Sequence, residues 1–249
     1  MSKLIKKLIL VAILIFVVLL ISVQFPNLFI DKKFTYKSFE VCSNSEIHLD
    51  ENVKNVLDSV LKNLNQSEFS GESDKYKLYF IRGTLYEKLL RMLGRRNMAF
   101  SKYEKHIYSA NPIFQEAKLV RNSNNYEWLN LIQIISHEGV HSQMYKDYYG
   151  WFKMKTPFWI NEGYAEYISY KPVRELDTYE ITSLLSQLEN SKDVWLKTEY
   201  NTMTPREYVK ARLLIEYLMD VKKMRITEII ENKQLKPNEV YDDIKEHYK

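Results

Sequence analysis

The sequence predicts an α+β fold in three parts: an N-terminal transmembrane helix within residues 1–30, a mixed α/β lobe over 31–126, and a helical lobe over 127–249. Three observations carry this. Leu8 to Val23 is almost wholly apolar and no charge falls between Leu8 and Ile30; short β-rich runs fill residues 97–121; and apolar residues at helical spacing dominate beyond Trp128. With 249 residues, 45% of them hydrophobic, and only six glycines and six prolines, the chain can bury one substantial core and has no low-complexity segment. One folded domain after the apolar run is the expectation.

Lys3, Lys6 and Lys7 precede the uncharged run, whose 23 residues would span about 34 Å as a helix, enough to cross a bilayer. Its exit, Ile21 to Pro26, carries no small-x-small cleavage pattern, which favours an uncleaved signal anchor over a removed signal peptide. A short basic tail stays in the cytoplasm while a long domain translocates, so a single-pass membrane protein with its domain outside is expected. Without the three leading lysines, 33 basic side chains face 32 acidic ones, a balance of about +1. No nucleic-acid partner is implied, and the densest basic cluster, Lys88, Arg91, Arg95 and Arg96, reads as a solvated helix end. Cys42 is the only cysteine, which excludes an internal disulfide and a thiolate zinc site.

Within the mixed lobe, Asp50 caps a helix through Leu64 whose apolar stripe is Val53, Val56, Leu57, Val60, Leu61 and Leu64. Leu78 to Ile81 reads as a buried strand, and Thr84-Leu85-Tyr86-Glu87 as a capping box opening a helix that stops near Gly94. Further β signals lie at Met98 to Phe100, His106 to Ser109 and Ala117 to Val120, punctuated by Asn111-Pro112.

The next helix starts after the Asn122-Ser123-Asn124-Asn125 turn and runs to about Tyr148, anchored by Trp128, Leu131, Ile132 and Ile135. A second helical stretch follows from Asn161 to Ser169. Asp177-Thr178-Tyr179-Glu180 and Thr204-Pro205-Arg206-Glu207 each mark a helix start, the second helix running to about Val221; residues 224–249 hold two short helices.

The chemistry concentrates at His137-Glu138-Gly139-Val140-His141. Helical positions four apart differ by about 40° around the axis, so His137 and His141 present their imidazoles from one face at a separation suited to one metal ion. Glu138 lies one step round, where a general base beside metal-bound water is expected. A third ligand must come from elsewhere, and Glu162 is the best candidate, at the start of a helix that the intervening loop can fold back. Glu166, one turn on, could accept the free N–H of a ligand histidine, His137 in particular.

The pentad HEGVH followed by WINEGYAEY resembles the gluzincin metallopeptidases, the peptidase MA-like group, and within it the thermolysin and aminopeptidase N families. The resemblance implies a zincin-like domain holding Zn2+ through His137, His141 and Glu162, with Glu138 as catalytic base and Glu166 supporting a histidine. It extends to Tyr208-Val209-Lys210-Ala211-Arg212-Leu213-Leu214-Ile215-Glu216-Tyr217-Leu218, where Tyr208 matches the tyrosine that stabilises the oxyanion; a tyrosine merely packed between helices is the alternative. It also implies a substrate-pairing edge strand just before the zinc helix, here about Lys105 to Ala110, with His106 either near substrate or an ordinary strand histidine.

The chain lacks the glycine-methionine-glutamate-asparagine segment that binds a free N-terminus in aminopeptidase N, and twenty residues separate His141 from Glu162, slightly more than in the better-known relatives. The expectation is therefore a membrane-anchored zinc endopeptidase acting on a peptide or protein substrate, against the alternative of an inactive gluzincin-like binding or scaffolding protein. Gly139 stands where those families carry a larger apolar residue, which implies close approach by another backbone or by substrate.

Overall fold

The computed structural model describes residues 30, 32–43, 47–72, 74–81, 86–88, 99–101, 106–109, 112–122, 125–148, 156–170, 177–198 and 203–249, with scattered positions before residue 19. In chain order the elements are β1 (Lys32–Tyr36), β2 (Phe39–Ser43), α1 (Glu51–Leu64), β3 (Tyr76–Phe80), β4 (Ala99–Ser101), β5 (His106–Ser109), β6 (Pro112–Ile113), a 3-10 turn (Phe114–Glu116), β7 (Lys118–Asn122) and β8 (Asn125–Asn130). They continue through α2 (Leu131–Tyr148), α3 (Phe158–Tyr170), α4 (Thr178–Asn190), β9 (Trp195–Lys197), β10 (Met203–Pro205), α5 (Arg206–Glu216), a π-helical segment (Tyr217–Val221), α6 (Ile226–Glu231) and α7 (Pro237–His247). Helix and sheet are mixed, as expected.

The main sheet has the order β1-β2-β3-β5-β4. Strands β2, β3 and β5 run parallel and the two outer strands antiparallel to their neighbours. Parallel β2 and β3 need a crossover, and α1 supplies it. Asp50 caps that helix by accepting from the Val53 amide at 2.9 Å, and the expected stripe is buried, Leu61 only partly. Period-two alternation then sorts the strands. Val41, Leu78, Phe80 and Ile107 join the main core with the helices. Cys42, Tyr79 and Tyr108 point to a second cluster on the opposite face, completed by Ile30, Ile81 and Tyr86.

That second cluster bears on the expected membrane span. Among the described residues no helix is long and apolar enough to cross a membrane, so the transmembrane helix within 1–30 and the single-pass, extracytoplasmic placement are not supported. The expectation counted the uncharged run too far. Ile30 at its end is packed in the domain, 7% exposed.

Two further expectations change. The strand expected to offer an edge, about Lys105 to Ala110, is interior over its described residues, because β5 pairs with β3 on one side and with β4 on the other. Among the described residues β4 holds that edge. The segment before α2 is also strand and not helix: Leu119 pairs with Leu129 and Val120 with Trp128, so Trp128 belongs to β8. Helix α2 therefore begins at Leu131, where the Asn130 side chain accepts from the Gln133 amide at 3.1 Å. The asparagine cap is real but lies five residues beyond the turn.

In the helical half, Asp177 and Glu180 form the expected capping box. Pro205 occupies the N-cap of α5 and not its first turn, because Thr204 is held in β10 with its hydroxyl 3.1 Å from that of Tyr170. The helix expected to reach Val221 is α5 followed by the π-helical segment. The two short helices at the end are α6 and α7. The capping box expected at Thr84 lies outside the described residues apart from the helical residues 86–88, as does the basic cluster apart from Lys88.

Candidate metal centre

Helix α2 brings His137 and His141 to one face, and α3 brings Glu162 to meet them. The histidine Nε2 atoms are 3.0 Å apart, and Glu162 Oε2 lies 3.2 Å from the Nε2 of His137 and 3.3 Å from that of His141. Donors about 2.0–2.1 Å from a tetrahedrally bound zinc ion sit about 3.3 Å from one another, so this triangle is the size that one ion requires. These three residues form a group that could hold a metal ion.

The chemistry of the group agrees with its geometry. Three lone-pair-bearing atoms turned toward one point repel unless a proton or a metal cation sits among them, and a buried setting sharpens that demand. Burial alone would lower the pKa of His137, but the carboxylates of Glu162 and Glu166 override it and hold that pKa well above the ordinary value. Burial likewise pushes Glu162 up, while His137 and His141 pull it far below the usual carboxylate range. Positive charge is favoured at this point of the fold.

Around the triangle, Glu166 Oε1 lies 2.9 Å from His137 Nδ1, so the imidazole is held between two carboxylates with Nε2 turned inward. Glu138, half-buried, follows His137 on α2. Tyr208, in the first turn of α5, stacks its ring on that of His137 at 5.9 Å between centroids and 10° between planes. Burial is the main reason its phenol pKa is raised, with the charges of Glu162, Glu166 and Glu138 and a hydrogen bond to Glu162 adding to it; the hydroxyl therefore stays a donor. The structure thus brings Tyr208 to the group, not to a remote helix interface. His106 instead packs edge-on against Tyr79 in the main sheet.

One neighbour escaped sequence reasoning. Phe158, the first residue of α3, lies 5.6 Å from the Tyr208 ring and is 47% exposed, an apolar face beside the group. Pro157 marks the turn there in the sequence, but nothing local indicates what the next side chain meets.

Gly139 is also resolved. A Cβ there would lie 2.6 Å from Leu64 Cδ2, so the neighbour is a side chain of α1 and neither a backbone nor substrate. The backbone approach is at Gly163, where a Cβ would collide with the Ala211 carbonyl oxygen of α5.

Fold and site together define a mixed α/β protein with a buried His-His-Glu group suited to a metal ion. No protein-family model matches the chain, and no curated protein sequence matches it. The gluzincin resemblance therefore rests on the motifs alone.

Proposed function

We propose that the protein is a zinc-dependent peptidase, an endopeptidase of gluzincin type. The observation that carries this is the donor triangle of 3.0, 3.2 and 3.3 Å assembled beside a carboxylate, Glu138, that is one residue from a ligand and is not itself part of the triangle. His137, His141 and Glu162 would hold the ion. When bound, it supplies a Lewis acid that polarises a carbonyl and lowers the pKa of water to about 7.

The chain's own groups divide the remaining work. Glu138 accepts a proton from the attacking water on a carboxylate oxygen and returns it to the departing amide nitrogen, so that the C–N bond breaks with the amine leaving neutral. The Tyr208 hydroxyl, kept protonated by its surroundings, donates to the oxygen on which negative charge develops. Glu166, whose Oε1 lies 2.9 Å from His137 Nδ1, would accept the Nδ1 proton and so leave Nε2 free to hold the ion.

The test is metal analysis of the purified chain by mass spectrometry together with a peptide-library assay. One zinc per chain is expected. Glu138→Gln should keep the metal and lose about 10²-fold or more of turnover. Tyr208→Phe should lose about 10²-fold in kcat with metal retained, and Glu162→Ala should release the metal. Iron in place of zinc, or equal turnover by wild type and Glu138→Gln, overturns the assignment; a zinc-loaded chain without turnover on any peptide favours the binding-protein alternative.

A further inference from the structure

The proposed ligands sit on two helices, so the separation of α2 from α3 sets the size of the donor triangle. A side chain of α1 hydrogen-bonds to both. Asn63, in the last turn of α1, donates from Nδ2 to Ser136 Oγ on α2 at 3.0 Å and to the Ser169 carbonyl oxygen on α3 at 3.3 Å. Ser136 directly precedes His137, and the Ser169 hydroxyl donates to the carbonyl oxygen of Glu166 at 2.9 Å. All three residues are buried, Asn63 at 3%, Ser136 at 0% and Ser169 at 1% exposed.

The register makes the asparagine conspicuous. Asn63 shares the inner face of α1 with Val56, Val60 and Leu64, where an apolar residue would avoid the cost of burying an amide. A carbonyl oxygen can only accept, so the amide nitrogen must face Ser169. Its planar NH2 then points two N–H bonds in fixed directions, one to each helix. We propose that Asn63 is a positioning residue, whose amide spans α2 and α3 and holds the His137–His141 pair at the distance from Glu162 that one ion needs. This rests on the metal-binding reading. Metal–ligand distances tolerate only about 0.2 Å of displacement, so loosening the bracket acts on affinity before it acts on fold.

Gln143 supplies the comparison. Buried like Asn63 but carried by α2 itself, it donates to the Leu64 carbonyl oxygen at 3.2 Å and to the Tyr76 hydroxyl at 2.8 Å, partners that lie on α1 and β3 and not on α3. Zinc affinity of the full chain is measured by competition with a chromophoric chelator, at a temperature where circular dichroism shows each variant folded, alongside the visible absorption of the cobalt(II) form. Asn63→Leu should weaken zinc binding about tenfold or more and change the cobalt spectrum. Ser136→Ala, which removes one acceptor for the loss of a single oxygen, should weaken it in the same direction by less. Gln143→Leu should lower Tm yet keep affinity within about twofold of wild type, well short of that loss.

Wild-type affinity in Asn63→Leu overturns the inference, as does an equal loss in Gln143→Leu. If Asn63→Leu does not fold, unchanged affinity in Ser136→Ala overturns it instead. A wild-type chain that binds neither zinc nor cobalt removes the metal-binding reading itself, and this inference with it.

Discussion

At the scale of single residues, His137 shows how one imidazole can be specified from both ends. Glu162 meets Nε2 and Glu166 meets Nδ1, at 3.2 and 2.9 Å. Were an ion to take the Nε2 side, only the second contact would stay as it is, so on the proposed metal-binding reading Glu166 would be the residue that fixes the tautomer. Glu166→Ala is expected to weaken zinc binding about 10- to 100-fold, while Glu166→Gln, whose amide oxygen still accepts from Nδ1–H, should retain most of it. Chelator competition on the two variants distinguishes a tautomer effect from a charge effect, since both remove the charge.

Cys42, in the second cluster on the opposite face of the sheet, offers a second test. Burial is the main reason its thiol pKa is pushed up to about 11, with the Glu40 charge adding to it. A group raised in the folded state contributes stability that is present below its unfolded pKa of 9.0 and is lost as pH rises through the folded value. Denaturation curves between pH 8 and 11 should therefore show wild type losing stability more steeply than Cys42→Val. The native thiol should also react with a water-soluble disulfide reagent at pH 8 only after denaturant is added.

At the scale of elements, Gly139 and Gly163 look alike in sequence, each inside a helix, and differ in consequence. Gly139 faces the end of a flexible leucine, so Gly139→Ala sets the roughly 1 kcal/mol gained in helix propensity against a clash that Leu64 can partly relieve. Gly163 faces backbone, which cannot yield without separating α3 from α5. Gly163→Ala should then cost about 1–3 kcal/mol or more and also weaken metal binding, because it displaces the helix that carries Glu162. Urea denaturation of both variants checks the order: a Gly163→Ala change no larger than that of Gly139→Ala would remove the argument. Local signals served well where structure is locally determined, as with the Asp50 cap and the Asp177–Glu180 box. They failed at β8, because whether Asn125–Asn130 is strand or helix depends on β7 being there to pair with it.

Over the whole molecule the same division explains which parts of the site could be read in advance. His137 and His141 are set by the pitch of one helix, and Glu166 follows Glu162 by one turn, so their spacing alone placed them on shared faces. Asn63 lies far away in the chain and has no motif, and only the docking of α1 against α2 and α3 brings it to Ser136 and Ser169. The uncharged run misled because absence of charge does not measure a span; Ile30 ended in the core.

An ion shared by α2 and α3 would join two helices of the central core, so its removal should be felt by the whole fold and not by the site alone. A ligand that binds only the folded chain stabilises it by about 2.7 kcal/mol when present at 100 times its Kd. For a domain of this size that corresponds to a rise in Tm of roughly 5–10 °C. Calorimetry of the wild type should accordingly show Tm falling by about that much after exhaustive chelation and recovering with zinc. Glu162→Ala should melt at one temperature regardless of chelator or zinc. Were the wild type equally indifferent to both, the convergence of His137, His141 and Glu162 would be a protonated buried cluster and not a metal centre.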